Sequence, residues 1–359
     1  MELQNYIRNN NDYIRCMRKK NIKVIKDKTL NVALLTYNRR HSDTYDFNNN
    51  PWIKYCKGAV IDLDTNKVIC LPPIKSDESF DINKLVNEYN SEYIYQPLID
   101  GTMINMFYKK NDWRLCTRSN IGANNSWDSK IKFKDLFIEI NGQEWFNQLD
   151  KDKCYTFVFQ HNKNRIVTPV INDQIFLISC YDITSDYPIK CDLPVIDGII
   201  NIFNINEGEL KSYTYEGLYY SIKGLNINAG DQRIKWINPE FKKVFDIKPN
   251  SNNKLLNYIE LYRNNRLKIY LNYFPEDTEG VSNFYNKYMT LKNTLFKTYT
   301  NTHISKTITI KEVHHILKPL IYEIHGLYLK KKEKITHDKI VNFIDSLPER
   351  RLLFILNRL

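Results

Sequence analysis

The sequence predicts an α+β protein: an antiparallel-sheet body over residues 1–247, then an all-α, basic C-terminal domain over 254–359. Three observations carry this. Up to about residue 245, short β-branched and aromatic runs alternate with turn residues, the texture of short strands. Beyond residue 254 the apolar residues recur at the helix period. At 359 residues the chain is also long enough for two cores.

In chain order, Gly58-Ala-Val-Ile-Asp-Leu, the turn Asp64-Thr-Asn-Lys67 and Val68-Ile-Cys-Leu form one hairpin. Met103-Ile-Asn-Met-Phe-Tyr, Lys109-Lys-Asn-Asp112 and Trp113-Arg-Leu-Cys-Thr form a second. Tyr155-Thr-Phe-Val-Phe, Ile175-Phe-Leu-Ile-Ser-Cys-Tyr and Gly217-Leu-Tyr-Tyr-Ser-Ile add strands, and helical periodicity shows only around 82–90 and 130–148. Lys248-Pro-Asn-Ser-Asn-Asn253 reads as a polar linker, and Leu255-Leu-x-x-Ile-x-Leu opens the helical domain. Thr309-Ile-Lys-Glu312 has the capping-box pattern of a helix start. Ser346-Leu-Pro-Glu349 repeats it before the last helix, with Pro inside the first turn.

Composition narrows the function classes. With 42% apolar residues, 25 Tyr and 17 Phe, the chain can bury cores, which excludes global disorder. No run approaches the ~18–20 apolar residues of a membrane span, and Met1-Glu-Leu-Gln-Asn-Tyr lacks the layout of a signal peptide. An intracellular, cytoplasmic protein without a membrane partner is expected. The seven Cys, at 16, 56, 70, 116, 154, 180 and 191, form no CxxC pair and read as reduced thiols. His314-His315 falls in a helical pattern, where adjacent residues point to different faces, so no metal pair is expected there. A count of 43 Asn against 4 Ala points to an AT-rich coding genome, such as that of a large DNA virus or a protist. The net charge of +11 is uneven: residues 251–359 hold 18 Lys and Arg against 10 Asp and Glu, a net +8. Such a basic third suits a polyanion, most often RNA or DNA. Its densest run is Tyr328-Leu-Lys330-Lys331-Lys332-Glu-Lys334.

The most informative stretch is Leu98-Ile-Asp100-Gly101-Thr102. Thr117-Arg118-Ser119 follows, then Tyr155-Thr-Phe-Val158-Phe and Asn164-Arg165-Ile-Val167. Tyr215-Glu216-Gly217-Leu218 and Ile234-Lys235-Trp236-Ile237 complete the series, with Lys57-Gly58 upstream. In order and spacing this series resembles the covalent nucleotidyltransferase superfamily, in detail the phage-type ATP-dependent RNA ligases, over roughly residues 35–245. That family pattern is Arg-Gly, Lys-x-Asp-Gly-Ser/Thr, Thr-Arg-Gly, Phe-Glu-Phe…Asn-Arg-Ile-Val, Glu-Gly and Lys-x-Lys.

The resemblance implies an RNA-ligase/ATP-grasp-like nucleotidyltransferase domain, ATP and Mg²⁺ or Mn²⁺ as cofactors, and RNA as partner, including tRNA or broken RNA ends. It places Lys57, Asp100, Gly101, Arg118 and Lys235 at the nucleotide and its phosphates, and Glu216 at the metal. The nucleophilic lysine, however, is Leu98 here, and a hydrocarbon has no lone pair to attack phosphorus. The ribose-gripping glutamate is Val158, the second lysine of the last motif is Ile237, and the early arginine is Lys57. No catalytic residue is therefore assigned. The nearest substitute amines are Lys75, Lys109 and Lys110, the last two at a hairpin tip several strand residues (~3.3 Å each) beyond Gly101.

A carboxylate and an ammonium lost together, at Val158 and Ile237, fit either conversion of the pocket to packed core or a pocket kept for a less charged ligand. The expected function is an RNA-ligase-like protein lacking self-adenylylation that holds RNA through Arg165, Lys330, Lys331, Lys332 and Lys334. Alternatives are a ligase acting on pre-adenylylated ends, an active ligase with a surrogate lysine, and a structural or partner-binding pseudoenzyme.

Overall fold

A computed structural model describes residues 1–37, 45–77, 89–127, 131–214, 219–230 and 232–359. They form two compact units, Met1–Phe245 and Asp246–Leu359.

The first unit opens with helices Glu2–Arg8 and Tyr13–Lys19, which bury Leu3, Ile7 and Met17 with Trp52 and Ile61. Strands β1 (Ile22–Asp27), β2 (Val32–Tyr37), β3 (Val60–Asp62) and β4 (Lys67–Cys70) form an antiparallel sheet in chain order. Seven strands follow: β5 (Ile94–Pro97), β6 (Thr102–Lys109), β7 (Asp112–Cys116), β8 (Lys153–Gln160), β9 (Gln174–Asp182), β10 (Ile189–Cys191) and β11 (Ile200–Asn201). The second sheet runs β10-β9-β8-β6-β7, with β11 parallel to β9. The last strands, β12 (Gly224–Ala229) and β13 (Gln232–Ile237), pair as a hairpin, and β5 joins the free edge of β12. Both hairpins read from the sequence are present. The β6–β7 turn has Lys110 and Asn111 at φ 55° and 57°, the left-handed pair that matches strand twist.

One apolar core lies on the β6/β8/β9 sheet, where helix Phe133–Asn141 seats Phe133, Leu136 and Phe137 against Phe157, Phe159 and Leu177. A second layer, with Val32, Leu34, Val60, Phe107, Cys116 and Cys154, joins this sheet to the four-stranded one. Cys70, Cys116 and Cys154 are all buried, and Cys70 is pushed well up, first by hydrogen bonding to those two neighbouring thiols and then by burial.

The helical unit comprises Lys254–Arg263, Leu267–Tyr273, Thr278–Tyr299, Lys318–Lys331, His337–Ser346 and Glu349–Leu356. Asn253 caps the first helix, its Oδ1 accepting from the Leu256 amide at 3.1 Å. Tyr288 and Lys292, on the buried face of the longest helix, meet the Asp345 carboxylate; the Lys292–Asp345 distance is 3.0 Å. Among the described residues no helix is long and apolar enough to cross a membrane.

Three local expectations differ from the structure. Glu312 does reach back to the Thr309 amide at 2.6 Å, but the Thr309 hydroxyl donates to that same carboxylate instead of accepting from a helix amide. The box therefore closes a turn, His314-His315 lies outside any helix, and the next helix starts at Lys318 with Pro319 in its first turn. Ser346 ends one helix, its hydroxyl donating to the Phe343 carbonyl, so Pro348 takes the cap position of the last helix. The strand expected over 217–222 is a turn across its described residues, with the Ile222 amide donating to Tyr219; pairing begins only at Gly224. Residues 215–218, hence Glu216 and Gly217, and residues 82–88 lie outside the described residues.

Candidate phosphate-binding cleft

The Asp-Gly turn between β5 and β6 organises the site. The Leu98 amide donates to the Gly224 carbonyl at 2.8 Å, which fixes the end of β5 beside β12. At Gly101 a Cβ would lie 2.4 Å from the Phe159 carbonyl oxygen and 2.8 Å from Val158 Cγ1, so only glycine lets β8 approach this closely. Gly224, at φ +142°, presses against β13 in the same way: a Cβ would meet the Trp236 carbonyl oxygen at 2.1 Å.

Asp100 is spent inside this scaffold. Its buried carboxylate accepts from the Val167 and Thr168 amides at 3.0 Å each and pairs with Lys223 Nζ at 3.0 Å. Gln160 donates to the Asp100 carbonyl at 2.7 Å. The acid thus ties the Asn-Arg-Ile-Val loop to the turn, and it is not among the residues that line the neighbouring cleft. Arg165 Nε and Nη2 both donate to the Val167 carbonyl, and its guanidinium also meets Tyr220.

A cleft of about 300 Å³ opens between β5–β6, β7–β8 and the β12–β13 hairpin. Leu98, Val158 and Ile237 stand on its walls beside Arg118, Lys223, Arg233 and Lys235. It is not a filled core, which excludes the first of the two sequence-based readings of Val158 and Ile237.

Nor has its charge been removed. Arg118 offers Nε to Met103 Sδ at 3.2 Å. Arg233 donates to Asn226 Oδ1 at 2.5 Å and to the Ile74 carbonyl at 3.1 Å. Neither of these, nor Lys235, is paired with a carboxylate among the described residues. Uncompensated cations at short range destabilise one another, and the titration behaviour follows. Burial, then the charges of Arg233, Arg118, Lys57 and Lys223, push the Lys235 amine down to about 6. Burial and Arg118 bring Arg233 down to about 10, and burial lowers Arg118 as well. Lys57 acts from just outside: Gly58, at φ +107°, packs on the Arg118 backbone, where a Cβ would lie 3.1 Å from its Cα.

Lys57, Arg118 and Lys235 thus converge, with Gly101 on the cleft wall and Asp100 beneath it. Lys330, Lys331, Lys332 and Lys334 are exposed at the end of helix Lys318–Lys331, where Lys332 forms a left-handed cap. The substitute amines are engaged away from the cleft. Lys109 pairs with Asp62 and Asp64 at 2.8 and 3.0 Å, Lys110 donates to the Thr29 carbonyl, and Lys75 lies over the Phe47 ring. Arg233 is the residue that motif matching missed. Its signal was present, because Arg233-Ile-Lys235 has the period-2 spacing that puts two side chains on one strand face. Ile237 therefore leaves the strand with two cations, displaced by one pair step.

The described walls suit an anion. Phosphate oxygens would relieve the mutual repulsion of the three cations and accept charge-assisted hydrogen bonds from them. A divalent cation does not fit them: the described walls carry no carboxylate, and no group of His, Cys, Asp or Glu suited to a metal occurs among the described residues.

No family model matches the chain. "Immediate-early protein ICP-46 homolog" of Invertebrate iridescent virus 3 is 23% identical over 293 residues, covering 77% of this chain and 58% of that protein. The chain therefore spans less than two thirds of that relative's length. A solved structure, "Putative ATP-dependent DNA ligase from Aquifex aeolicus", aligns over 96% of this chain and 77% of its own at 11% identity and a TM-score of 0.39.

Proposed function

We propose that the chain is an RNA-ligase-like protein of the nucleotidyltransferase class that holds the phosphate of a nucleotide or RNA end without forming a lysyl adduct at the motif-one position. One observation carries this reading: Arg118, Arg233 and Lys235, without carboxylate partners among the described residues, face an open cleft whose motif-one position is Leu98. The ordered series of motifs supports the class, and the basic helical unit supports a polyanionic partner. Arg165, Lys330, Lys331, Lys332 and Lys334 serve as further backbone contacts.

The test is titration of the protein with AMP and with 5′-phosphorylated RNA at increasing salt, for the wild type and Arg118→Ala. Tight, salt-sensitive binding that Arg118→Ala weakens is expected. Each phosphate neutralised on a single strand contributes about −0.7 to the slope of log K against log salt. Absent or salt-insensitive binding refutes the proposal. Sealing of pre-adenylylated RNA with Mg²⁺ or Mn²⁺ in the same preparation would instead make the chain a ligase for activated ends. Affinity for neither nucleotide nor RNA would leave a partner-binding role.

A second reading has its own observation, the Lys235 amine, mostly uncharged at pH 7 and on the cleft wall. A neutral amine is a nucleophile. Its lone pair would attack the α-phosphorus of ATP and form a P–N bond. The bond from that phosphorus to the bridging oxygen would break, pyrophosphate would leave with the electron pair, and the amine proton would pass to solvent. An adenylate mass on the Lys235 peptide after treatment with ATP, absent in Lys235→Arg, establishes this reading and overturns the first.

A further inference from the structure

A second, larger cleft of about 430 Å³ adjoins the cationic one, and Gln96, Ile178, Asn226 and Arg233 line both. An irregularity in β9 lies on its wall. The β8–β9 register pairs Thr156 with Ser179 and then Phe157 with Leu177, so Ile178 is the extra residue of a bulge, a device that re-aims side chains. Ser179 ends a polar row, Asn105–Thr156–Ser179, that crosses β6, β8 and β9 in register within an otherwise apolar sheet. Thr156 donates to Asn105 at 3.0 Å, but the Ser179 hydroxyl, on a residue only 4% exposed, has no partner among the described residues and lies on the wall of the second cleft. A buried hydroxyl left unsatisfied costs folding free energy, which a ligand's polar group would recover.

The rest of the lining narrows the ligand. Tyr181 and Tyr187 bring aromatic rings, and the amides of Asn226 and Asn228 carry both donors and acceptors. Rings to stack on, amides to meet a polar ring edge, and a cation shared with a neighbouring phosphate cleft are what a single-stranded nucleotide uses.

We propose that the second cleft is a nucleoside subsite, so that a single-stranded polynucleotide lies across both, with one phosphate at Arg233 and the adjoining base in the Ser179 cleft. This rests on the phosphate reading of the cationic cleft, and the two fail separately.

The experiment compares inorganic phosphate with a 5′-phosphorylated hexanucleotide by titration calorimetry, using the full chain, Tyr187→Ala and Ser179→Ala. The same hexanucleotide with 4-thiouridine is then photo-crosslinked and the attachment site read by mass spectrometry. The hexanucleotide is expected to bind at least tenfold tighter than inorganic phosphate. Tyr187→Ala should remove most of that gain and Ser179→Ala several-fold of it, both with inorganic phosphate affinity unchanged. The crosslink should fall on Tyr181, Tyr187 or their neighbours. Inorganic phosphate binding with no gain for the hexanucleotide, or a crosslink confined to other surfaces, overturns the subsite and spares the phosphate reading. Failure of both ligands to bind overturns both.

Discussion

Lys235→Met tests the electrostatics of the cleft without any ligand. In the unfolded chain this amine titrates near 10.5, and in the cleft burial and four neighbouring cations hold it near 6. Between those values the unfolded chain binds more protons than the folded one, so folding is disfavoured most at low pH and stability rises as the pH climbs from 6 towards 10.5. At pH 8 the penalty is the remaining distance to 10.5 at about 1.4 kcal/mol per pH unit, about 3 kcal/mol if fully realised. The cleft is open to water, and screening reduces this to about 2 kcal/mol. Methionine keeps the unbranched shape and removes the charge. The variant should therefore be more stable than the wild type by about 2 kcal/mol near pH 8, with the difference shrinking as the pH rises and vanishing only above about pH 11. All five Trp, at 52, 113, 127, 145 and 236, lie in the first unit, so their fluorescence in urea titrations at pH 7, 8 and 9 follows that unit alone. A variant less stable than the wild type at pH 7, or one whose stability follows pH as the wild type's does, would refute the reasoning.

Other substitutions test the scaffold. Gly101→Ala drives a methyl group into the Phe159 carbonyl and should lower stability by about 2–4 kcal/mol, read as a lower urea midpoint of the Trp signal. Asp100→Ala strands Lys223 and two loop amides; a loss of about 3 kcal/mol is expected, while a change below 0.5 kcal/mol would show that the acid is not an anchor. In the helical unit, Asp345→Ala leaves Lys292, whose side chain is 3% exposed, without its counter-ion, and thermal melting followed by circular dichroism should show about 3 kcal/mol lost from that unit.

Much of the fold was legible because it is written in local patterns. The alternating runs on either side of Asp64 and Lys110 specify hairpins whatever surrounds them, and the period of Leu255, Leu256, Ile259 and Leu261 makes a helix. The capping signals of Thr309 and Ser346 misled for the complementary reason. A hydroxyl and a carboxylate three residues apart satisfy a turn as well as a helix, and the choice depends on the chain that follows. In the site, the motif order led to Arg118 and Lys235, but it also gave Asp100 a ligand role, and its geometry makes it a buried tie between loops. Arg233 went unread because the match was aligned to Lys235 and Ile237; strand alternation would have disclosed it.

The sequence by itself determined what stands at position 98: Leu98 bears no nucleophile, and no folding of the chain can supply one at that position. Only the tertiary structure decided what remains there. Whether Val158 and Ile237 sealed a core or framed a cleft depended on how closely three sheets meet. The depressed amine of Lys235 likewise depends on through-space repulsion among residues that are as many as 178 positions apart in sequence, Lys57 and Lys235 among them. Local sequence encodes identity and period, but burial and charge density exist only once the chain has folded on itself.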